Sequence, residues 1–267
     1  MPRYRLDIEY DGRPFRGWQY QSDALTVQGV IEAALFALTG ATIRVNGAGR
    51  TDAGVHALGQ VAHADLPRPW APGRLRDGIN AMLRPHPVSI LGASEVADGF
   101  DARFSARGRA YRYLILDRRS PPALDSGLVW HARRRLDANA MNHAARHLLG
   151  HHDFTTFRNV DCQAKSPMKT LRHLAVRRNG DQVIVEVEAR SFLHNQVRSM
   201  VGSLKRVGEG TRPDEWIAEI LEARSRDRCG ALAPPDGLYL TSVSYAVSSQ
   251  AGEDIADPAD EEAEGEV

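Results

Sequence analysis

The feature that most constrains the fold is the succession of strand-like and helix-like segments, which occurs twice along the 267 residues. Apolar and polar residues alternate in YRLDIEY near the start, a pattern typical of a half-buried strand. Apolar residues lie three or four positions apart in TVQGVIEAALFAL, a pattern typical of an amphipathic helix. A chain that mixes both patterns is expected to build layers of helix on sheet.

The whole pattern predicts an α+β protein made of two α/β halves. In the first half the predicted elements are a strand in YRLDIEY, a helix in TVQGVIEAALFAL, strands in TIRVNGAGR and QVAHADL, a helix in GRLRDGINAML and a strand in VSILGASEV. In the second half they are a strand in RAYRYLIL, a helix in DANAMNHAARHLLG, a hairpin of LRHLAVRR and DQVIVEVEAR around Asn179-Gly180, helices in FLHNQVRSMVGSLKRVG and PDEWIAEILEAR, and a strand in GLYLTSVSYAV. We expect domains at 1–105 and 106–248, with mixed or antiparallel sheets meeting at a central basic cleft, and a disordered acidic tail at 249–267.

The formal net charge of zero hides an uneven distribution of charge. Residues 251–267 carry eight acidic residues and no Lys or Arg, so the remainder has 34 basic against 26 acidic residues. All but three of the basic residues are arginines, which suit bidentate contacts to phosphate and stacking on bases. A basic body favours an anionic partner, with nucleic acid as the leading candidate.

The compartment is predicted from what the chain lacks. It has no run of eighteen apolar residues and no signal-peptide pattern at the start, so neither a membrane span nor secretion is expected. The two cysteines, Cys162 and Cys229, lie far apart in no metal-like spacing. We therefore expect a cytoplasmic protein without a disulfide framework.

The segment GAGRTDAGVHALGQ is rich in glycine and is the first candidate site. A phosphate-binding P-loop needs a lysine and a following helix, and a dinucleotide fingerprint also needs a following helix; this segment has no lysine and continues into a strand pattern. What remains is a tight turn that presents Arg50, Thr51, Asp52 and His56. Alone, it is better explained as a structural turn in which Asp52 bonds its own backbone.

A second candidate is RFSARGRAYRYLIL, in which arginines alternate with aromatic residues. On a strand Arg109, Tyr111 and Tyr113 share a face, and Arg107 lies two positions earlier. Such a face could stack on bases and bind phosphates, and we predict RNA-binding roles for Arg107, Arg109 and Tyr111. The alternative is a solvated strand face with a tyrosine packed at its edge.

A third candidate is the helical segment RSFLHNQVRSMVGSL. Val197, Val201 and Leu204 form a stripe expected to be buried, and Gly202 would allow another element to approach closely. Arg198 lies off this stripe at the polar boundary, where it could pair with a buried carboxylate. The alternative is an ordinary surface arginine.

Three histidines raise the possibility of a metal site. His143, His147 and His151 are four residues apart, a spacing that places them on one face of a helix. No cysteine or carboxylate joins them in a known ligand pattern, so we predict a solvated helix face and no metal. His56 and His63 flank the glycine-rich loop and receive no assigned role.

Taken together, the segments EYDGRPFRGWQYQ, GAGRTDAGVHALGQVAH, FDARFSARGRAYRYLI, LLGHHDFTTFR and VRSMVGSL closely resemble the tRNA pseudouridine synthase A family, in that order and spacing. The resemblance covers residues from about 4 to about 246, and GRTDAGVH is its most specific part. It implies the pseudouridine synthase fold and an isomerase that converts uridine to pseudouridine at tRNA positions 38, 39 and 40. It also implies a homodimer that binds the tRNA anticodon stem-loop and uses no metal or other cofactor.

The resemblance also implies roles for individual residues. Asp52 matches the catalytic aspartate, and Arg50 matches the arginine that helps to flip and hold the target nucleotide. Tyr111 matches the active-site tyrosine, and Arg198 matches the arginine that pairs with the catalytic carboxylate. Gln196 departs from the family, which commonly has methionine there, and its side chain could face the pocket or the core.

Three other functions are weighed against this one. A catalytically silent RNA-binding protein on the same scaffold would be expected to have lost the aspartate, tyrosine or arginine, and all three are present. A metal-dependent RNA hydrolase would use the histidine helix. A glycosidase would need a second carboxylate beside Asp52, and the next acid, Asp65, is a full strand away.

Overall fold

A computed structural model describes residues 1–246 of the chain; the predicted acidic tail at 249–267 lies outside the described residues. The described residues contain helices and a mixed set of strands, which confirms the α+β class. They form two compact units, one made of Met1–Arg107 with Tyr239–Ala246 and the other of Gly108–Leu238. The last strand therefore belongs mostly with the first unit, whereas the linear order of the sequence placed it in the second half.

The first unit alternates strands and helices. Its elements are β1 (Arg3–Tyr10), α1 (Val27–Thr39), β2 (Val45–Gly47), β3 (His56–Asp65), α2 (Pro72–Leu83) and β4 (Val88–Val96). In its sheet β1 lies antiparallel between β3 and β4, and β2 pairs with one end of β3. The final strand of the described chain, β10 (Leu238–Tyr245), pairs in parallel with the start of β3.

The predicted periodicity explains how these elements pack. In β1 the side chains of Tyr4, Leu6 and Ile8 are buried in alternation with more exposed neighbours. Burying one large apolar side chain contributes about 1.5–3 kcal/mol to stability, so this alternation sets which face of β1 meets the core. Helix α1 begins where the Thr26 hydroxyl accepts a hydrogen bond from the backbone of Gly29.

The second unit carries the remaining elements. They are β5 (Ala106–Leu116, its first two residues in the first unit), β6 (Trp130–His131), α3 (Ala138–Ala145), β7 (Gly150–Asp153), β8 (Met168–Asn179), β9 (Gln182–Ala189), α4 (Gln196–Gly208) and α5 (Trp216–Glu222). The sheet has the order β5-β9-β8-β7 with antiparallel neighbours, and β6 pairs in parallel with β5. The predicted hairpin is confirmed: Asn179 pairs with Gln182, and Gly180 has a φ of 58°.

The predicted long helix after residue 136 is wrong in its second half. Helix α3 ends at Ala145, a short 3-10 turn follows at Arg146–Leu148, and the chain then enters β7. His151 therefore lies on a strand, where its ring shares a hydrogen bond of 2.9 Å with the hydroxyl of Thr170. The helical face of three histidines does not exist, because pairing of β7 with β8 outcompetes continuation of the helix.

Candidate active site

The loop that carries Asp52 joins β2 to β3 and is held by the chain that follows β1. The backbone carbonyl of Thr51 accepts a hydrogen bond of 3.0 Å from the backbone of Trp18. The Thr51 hydroxyl shares a buried hydrogen bond of 2.8 Å with the hydroxyl of Tyr10. A Cβ atom at Gly17 would lie 2.5 Å from the Thr51 carbonyl oxygen, so only glycine allows this approach. The residue before Asp52 is thus fixed through both its backbone and its side chain.

The residues after Asp52 are held in the same way. The Asp52 carbonyl accepts a hydrogen bond of 3.1 Å from the backbone of Val55, which closes a tight turn. The Gly54 backbone donates a hydrogen bond of 3.3 Å to the carbonyl of Phe15. A Cβ atom at Gly12 would lie 2.1 Å from the Val55 carbonyl oxygen. The motif EYDGRPFRGW, part of the family resemblance, is therefore the support on which the loop rests.

His56, for which the sequence provided no role, binds the same turn after β1. Its Nδ1 accepts a hydrogen bond of 3.0 Å from the backbone of Gly12. The ring is buried and stacks on Tyr239 with 4.7 Å between the centroids. His56 thus links the start of β3 to the turn after β1. This contact gives a structural reason for the histidine in the GRTDAGVH motif.

The first unit brings together two of the predicted site residues. Arg50 is exposed and Asp52 is half-buried, two positions apart on the same loop. The loop entrance is fixed by a hydrogen bond of 2.7 Å from the Gln60 side-chain amide to the carbonyl of Gly49. A carboxylate and a guanidinium are therefore presented by one backbone segment whose two ends are both anchored.

Three other predicted residues lie on β5. Tyr111 is half-buried, and its ring meets that of Phe192 edge-on at a centroid distance of 5.3 Å. Arg109 is only 7% exposed, and its Nη1 donates a hydrogen bond of 2.5 Å to the carbonyl of Arg190. Arg107 is exposed and ends the first unit. The shared strand face is thus less accessible than the sequence suggested, because residues 190–192, which follow β9, contact the Arg109 and Tyr111 side chains.

Arg198 lies on α4 and is held by groups near the start of that helix. Its Nε donates a hydrogen bond of 2.8 Å to the carbonyl of Ala233, and its Nη1 donates one of 3.1 Å to the side-chain oxygen of Asn195. Asn195 precedes the helix in the left-handed conformation, with φ 63°, which asparagine tolerates better than most residues. Arg198 is half-buried with its guanidinium oriented by two acceptors, unlike an ordinary surface arginine.

The structure also resolves the environment of Gln196. Its side chain is fully buried, and its Oε1 accepts a hydrogen bond of 2.8 Å from the backbone of Leu193. Within residues 1–246 its Nε2 has no hydrogen-bond acceptor. Gln196 therefore faces the core and caps the turn that leads into α4.

The predicted close approach at Gly202 is confirmed. A Cβ atom there would lie 1.8 Å from the carbonyl oxygen of Ala231, so residues 230–234 run directly over α4. The backbone of Gly230 also donates a hydrogen bond of 3.0 Å to the hydroxyl of Ser203. We call residues 230–234 the α4 strap. The sequence did not indicate its role, because its contacts with α4 are made by backbone groups.

Two features are absent from the part of the chain that the structure describes. No helix there is both long and apolar enough to cross a membrane. No group of three or more His, Cys, Asp or Glu side chains in residues 1–246 is arranged to hold a metal ion.

Comparison with known proteins identifies the family. The family model described as tRNA pseudouridine synthase matches residues 8–105 and 144–246. A tRNA pseudouridine synthase A of Bradyrhizobium diazoefficiens is 60% identical over 245 residues, which cover 92% of this chain and all of the relative. The protein of the same name from Nitrobacter winogradskyi is also 60% identical, over 92% of this chain and 96% of the relative. The chain belongs to the tRNA pseudouridine synthase family, a family of isomerases.

Among solved structures, the likeness is much weaker. A crystal structure of a Cbf5-Nop10-Gar1 complex matches with 10% identity over 88% of this chain and 57% of that chain, at a TM-score of 0.34. A likeness of this size adds nothing to the family assignment, which comes from the sequence relatives.

Proposed function

We propose that this protein isomerises uridine to pseudouridine at positions 38, 39 and 40 of the anticodon stem-loop of tRNA, with Asp52 as the reacting carboxylate. The observation that carries the proposal is the loop around Asp52, which is anchored at both ends and presents this carboxylate beside Arg50. Membership of the tRNA pseudouridine synthase family supplies the reaction class.

The reaction places specific demands on the site. The bond between N1 of uracil and C1′ of ribose breaks, the base turns, and a bond from C5 to C1′ forms while the C5 hydrogen is lost and N1 gains a proton. A carboxylate can serve as nucleophile or as the base that removes a ribose proton, and either role suits Asp52. No electrons are gained or lost overall, so the reaction needs no redox cofactor. We also propose that no metal takes part, as the family resemblance implies.

The other predicted residues complete the proposed site. Arg198 pairs with the Asp52 carboxylate and offsets the cost of keeping it ionised in a partly dry pocket. Tyr111 stacks on the extruded uracil with its hydroxyl near the reacting centre. Arg50 holds the flipped nucleotide, and Arg107 and Arg109 bind the RNA backbone. Of these two, the exposed Arg107 is the better placed for direct phosphate contact.

The proposed partner is tRNA, and we propose that the protein acts in the cytoplasm as a homodimer. The excess of basic residues outside the acidic terminus supports an RNA partner. A metal-dependent RNA hydrolase is disfavoured by the position of His151 on β7, away from the helix that carries His143. A silent RNA-binding protein is disfavoured by the retention of Asp52, Tyr111 and Arg198.

The first prediction concerns Asp52→Asn. Tritium release from tRNA labelled at C5 of uridine measures the reaction, because C5 loses its hydrogen when the new bond forms. We expect wild-type protein to release tritium without cutting the tRNA, and Asp52→Asn to lose at least about 10³-fold in rate because the reacting carboxylate is gone. The matched control is Asp77→Asn, whose exposed side chain lies on α2.

The outcomes separate the three functions. Release by Asp52→Asn at the wild-type rate would exclude the proposed mechanism. Binding of tRNA with no release by wild-type protein would indicate the silent RNA-binding protein. Cleaved tRNA, prevented by a chelator, would indicate the hydrolase.

A further inference from the structure

Tyr113 is a buried tyrosine that the proposed mechanism does not use. It lies on β5 two residues after Tyr111, and its side chain is fully buried. Its hydroxyl donates a hydrogen bond of 2.7 Å to the carbonyl of Pro234, and its ring meets the edge of Trp130. A buried tyrosine hydroxyl needs such a partner, so the bond alone is ordinary. What distinguishes Tyr113 is the identity of the segment that it binds.

Pro234 belongs to the α4 strap, and the preceding carbonyl of that strap binds Arg198. The Ala233 carbonyl accepts a hydrogen bond of 2.8 Å from Arg198 Nε, and the Ala233 backbone donates one of 3.2 Å to the Arg198 carbonyl. Two successive carbonyls of the strap thus receive one bond from Tyr113 and one from Arg198. The proline ring restricts φ of Pro234, here −61°, and so removes one of the two rotations that set the relative orientation of the two carbonyls.

The charge of Arg198 also influences the pKa of the Tyr113 hydroxyl. Burial raises the pKa of Tyr113 well above its ordinary value, and the positive charge of Arg198 offsets only part of that effect. The hydroxyl therefore stays protonated, and stays a donor to Pro234, throughout the pH range in which the protein works.

The strap is held along its length by other contacts that leave it little freedom. Gly202 admits the Ala231 carbonyl against α4, and the Gly230 backbone bonds Ser203. Just after the strap, a Cβ atom at Gly237 would lie 2.5 Å from the Leu114 carbonyl oxygen of β5. The strap thus joins α4 to β5, and Tyr113 is the buried side chain that fixes its Pro234 end.

We propose that Tyr113 is a positioning residue, which aims the Arg198 guanidinium by holding the Ala233 and Pro234 carbonyls of the α4 strap. The inference rests on the proposed role of Arg198 in pseudouridine formation. Tyr113 itself touches neither base nor ribose in this account.

The test is Tyr113→Phe, which removes one oxygen and keeps the ring. We expect kcat for pseudouridine formation to fall on the order of 10- to 100-fold, since small displacements of an orienting group have effects of this size. We expect KM for tRNA to change less than about threefold. The matched control is Tyr4→Phe, because Tyr4 is equally buried and its hydroxyl bonds the Trp70 backbone, donating to the carbonyl at 2.9 Å and accepting from the N–H at 2.8 Å. It should lose at least as much thermal stability with unchanged kcat.

Two further measurements test whether Tyr113 acts through Arg198. In a double-mutant cycle with Arg198→Lys, Tyr113→Phe should cost little additional kcat, because the group that it orients is already lost. The NMR signal of the Arg198 side-chain Nε–H, assigned by its absence in Arg198→Lys, should shift in Tyr113→Phe and stay in place in Tyr4→Phe. Asn195→Gly keeps the left-handed backbone but removes the side-chain oxygen that accepts from Arg198 Nη1, and should lower kcat similarly.

The outcomes distinguish this inference from the proposed function. If wild-type protein forms pseudouridine but Tyr113→Phe matches its kcat, or leaves the Arg198 signal unmoved, the positioning role is overturned and the function stands. Additive losses in the double-mutant cycle would overturn it as well. If wild-type protein forms no pseudouridine, the proposed function is wrong. The NMR shift of Arg198 Nε–H in Tyr113→Phe then still tests whether Tyr113 orients Arg198.

Discussion

Asp52 and Asp117 are two carboxylates with opposite surroundings. Asp52 is half-buried on a loop whose backbone is clamped on both sides. The side chain of Asp117, at the end of β5, is fully buried, accepts two hydrogen bonds from Arg178 and accepts a third from the backbone of Leu136. Full burial and three hydrogen bonds identify Asp117 as a structural group. Its side chain is closed off from solvent, and therefore from a substrate, whereas Asp52 is partly exposed.

Asp117 leads to a prediction about pH. Burial alone would raise the pKa of Asp117, but the hydrogen bonds from Arg178 and Leu136 outweigh burial, and the pKa lies below its ordinary value of 3.8. The ionised carboxylate therefore stabilises the fold above about pH 4, and this contribution is lost as the pH falls through the lowered pKa. We expect Asp117→Asn to lower the free energy of unfolding by about 3 kcal/mol at pH 7, and by progressively less below about pH 4.

Urea unfolding followed by circular dichroism at a series of pH values measures this difference. Glu186→Gln is the control, because Glu186 forms a more exposed pair with Arg177 and should cost less than about 1 kcal/mol. An unfolding free energy of Asp117→Asn that stays a constant amount below wild type down to pH 2 would contradict the assignment.

At the scale of elements, α4 and its strap form the most tightly fitted part of the second unit. Helices normally keep a layer of side chains between themselves and the next segment. At Gly202 that layer is absent, and the strap carbonyl of Ala231 touches the helix backbone. This closeness lets the next strap carbonyls reach Arg198 and Tyr113. Packing of the helix and orientation of its arginine are therefore coupled.

We predict that Gly202→Ala damages both stability and activity. The new Cβ would lie 1.8 Å from the Ala231 carbonyl oxygen, so the strap must move. The free energy of unfolding, measured by thermal unfolding, should fall by about 2 kcal/mol. The kcat should also fall, because the Ala233 carbonyl that accepts from Arg198 is displaced. Gly73→Ala is the matched control, since Gly73 is also helical and a Cβ atom there would meet nothing within 4 Å. Gly73→Ala should be neutral or slightly stabilising. Full activity in Gly202→Ala would refute the coupling between packing of α4 and orientation of Arg198.

At the scale of the whole molecule, charge is separated along the chain. The last 17 residues hold eight of the 34 acidic residues and none of the 34 basic ones. The rest of the chain thus has an excess of positive charge, which favours contact with the phosphates of RNA. This separation is a property of the sequence and does not depend on how the two units are arranged.

The charge excess predicts tRNA binding that depends strongly on salt. Between about 50 and 200 mM monovalent salt we expect tRNA affinity to fall by more than about 10-fold, because each phosphate contact releases bound counterions. Filter binding across this range measures the slope of log affinity against log salt. Arg107→Ala should reduce that slope by about one, whereas Arg76→Ala, which removes an arginine paired with Asp77, should not. A flat response would contradict a basic RNA-binding surface.

Much of the fold was predictable because its signals are local. Alternation identified β1 and β5, helical spacing identified α1 and α4, and Asn179-Gly180 marked the hairpin. The residues of the proposed site were also found from the sequence, through motifs that resemble a family. Their roles stay predictions, because the motifs name residues and not the contacts between them.

The sequence by itself determined most of the elements, the family and the candidate residues, because periodicity and motifs depend on neighbours along the chain. Only the tertiary structure decided that Tyr10 and Trp18 clamp the Asp52 loop and that Tyr113 binds the α4 strap. The same holds for the burial of Arg109, which binds the chain just after β9, and for the place of His151 on β7. These contacts join residues tens to more than a hundred positions apart, many of them through backbone carbonyls, which every residue carries and no sequence pattern marks.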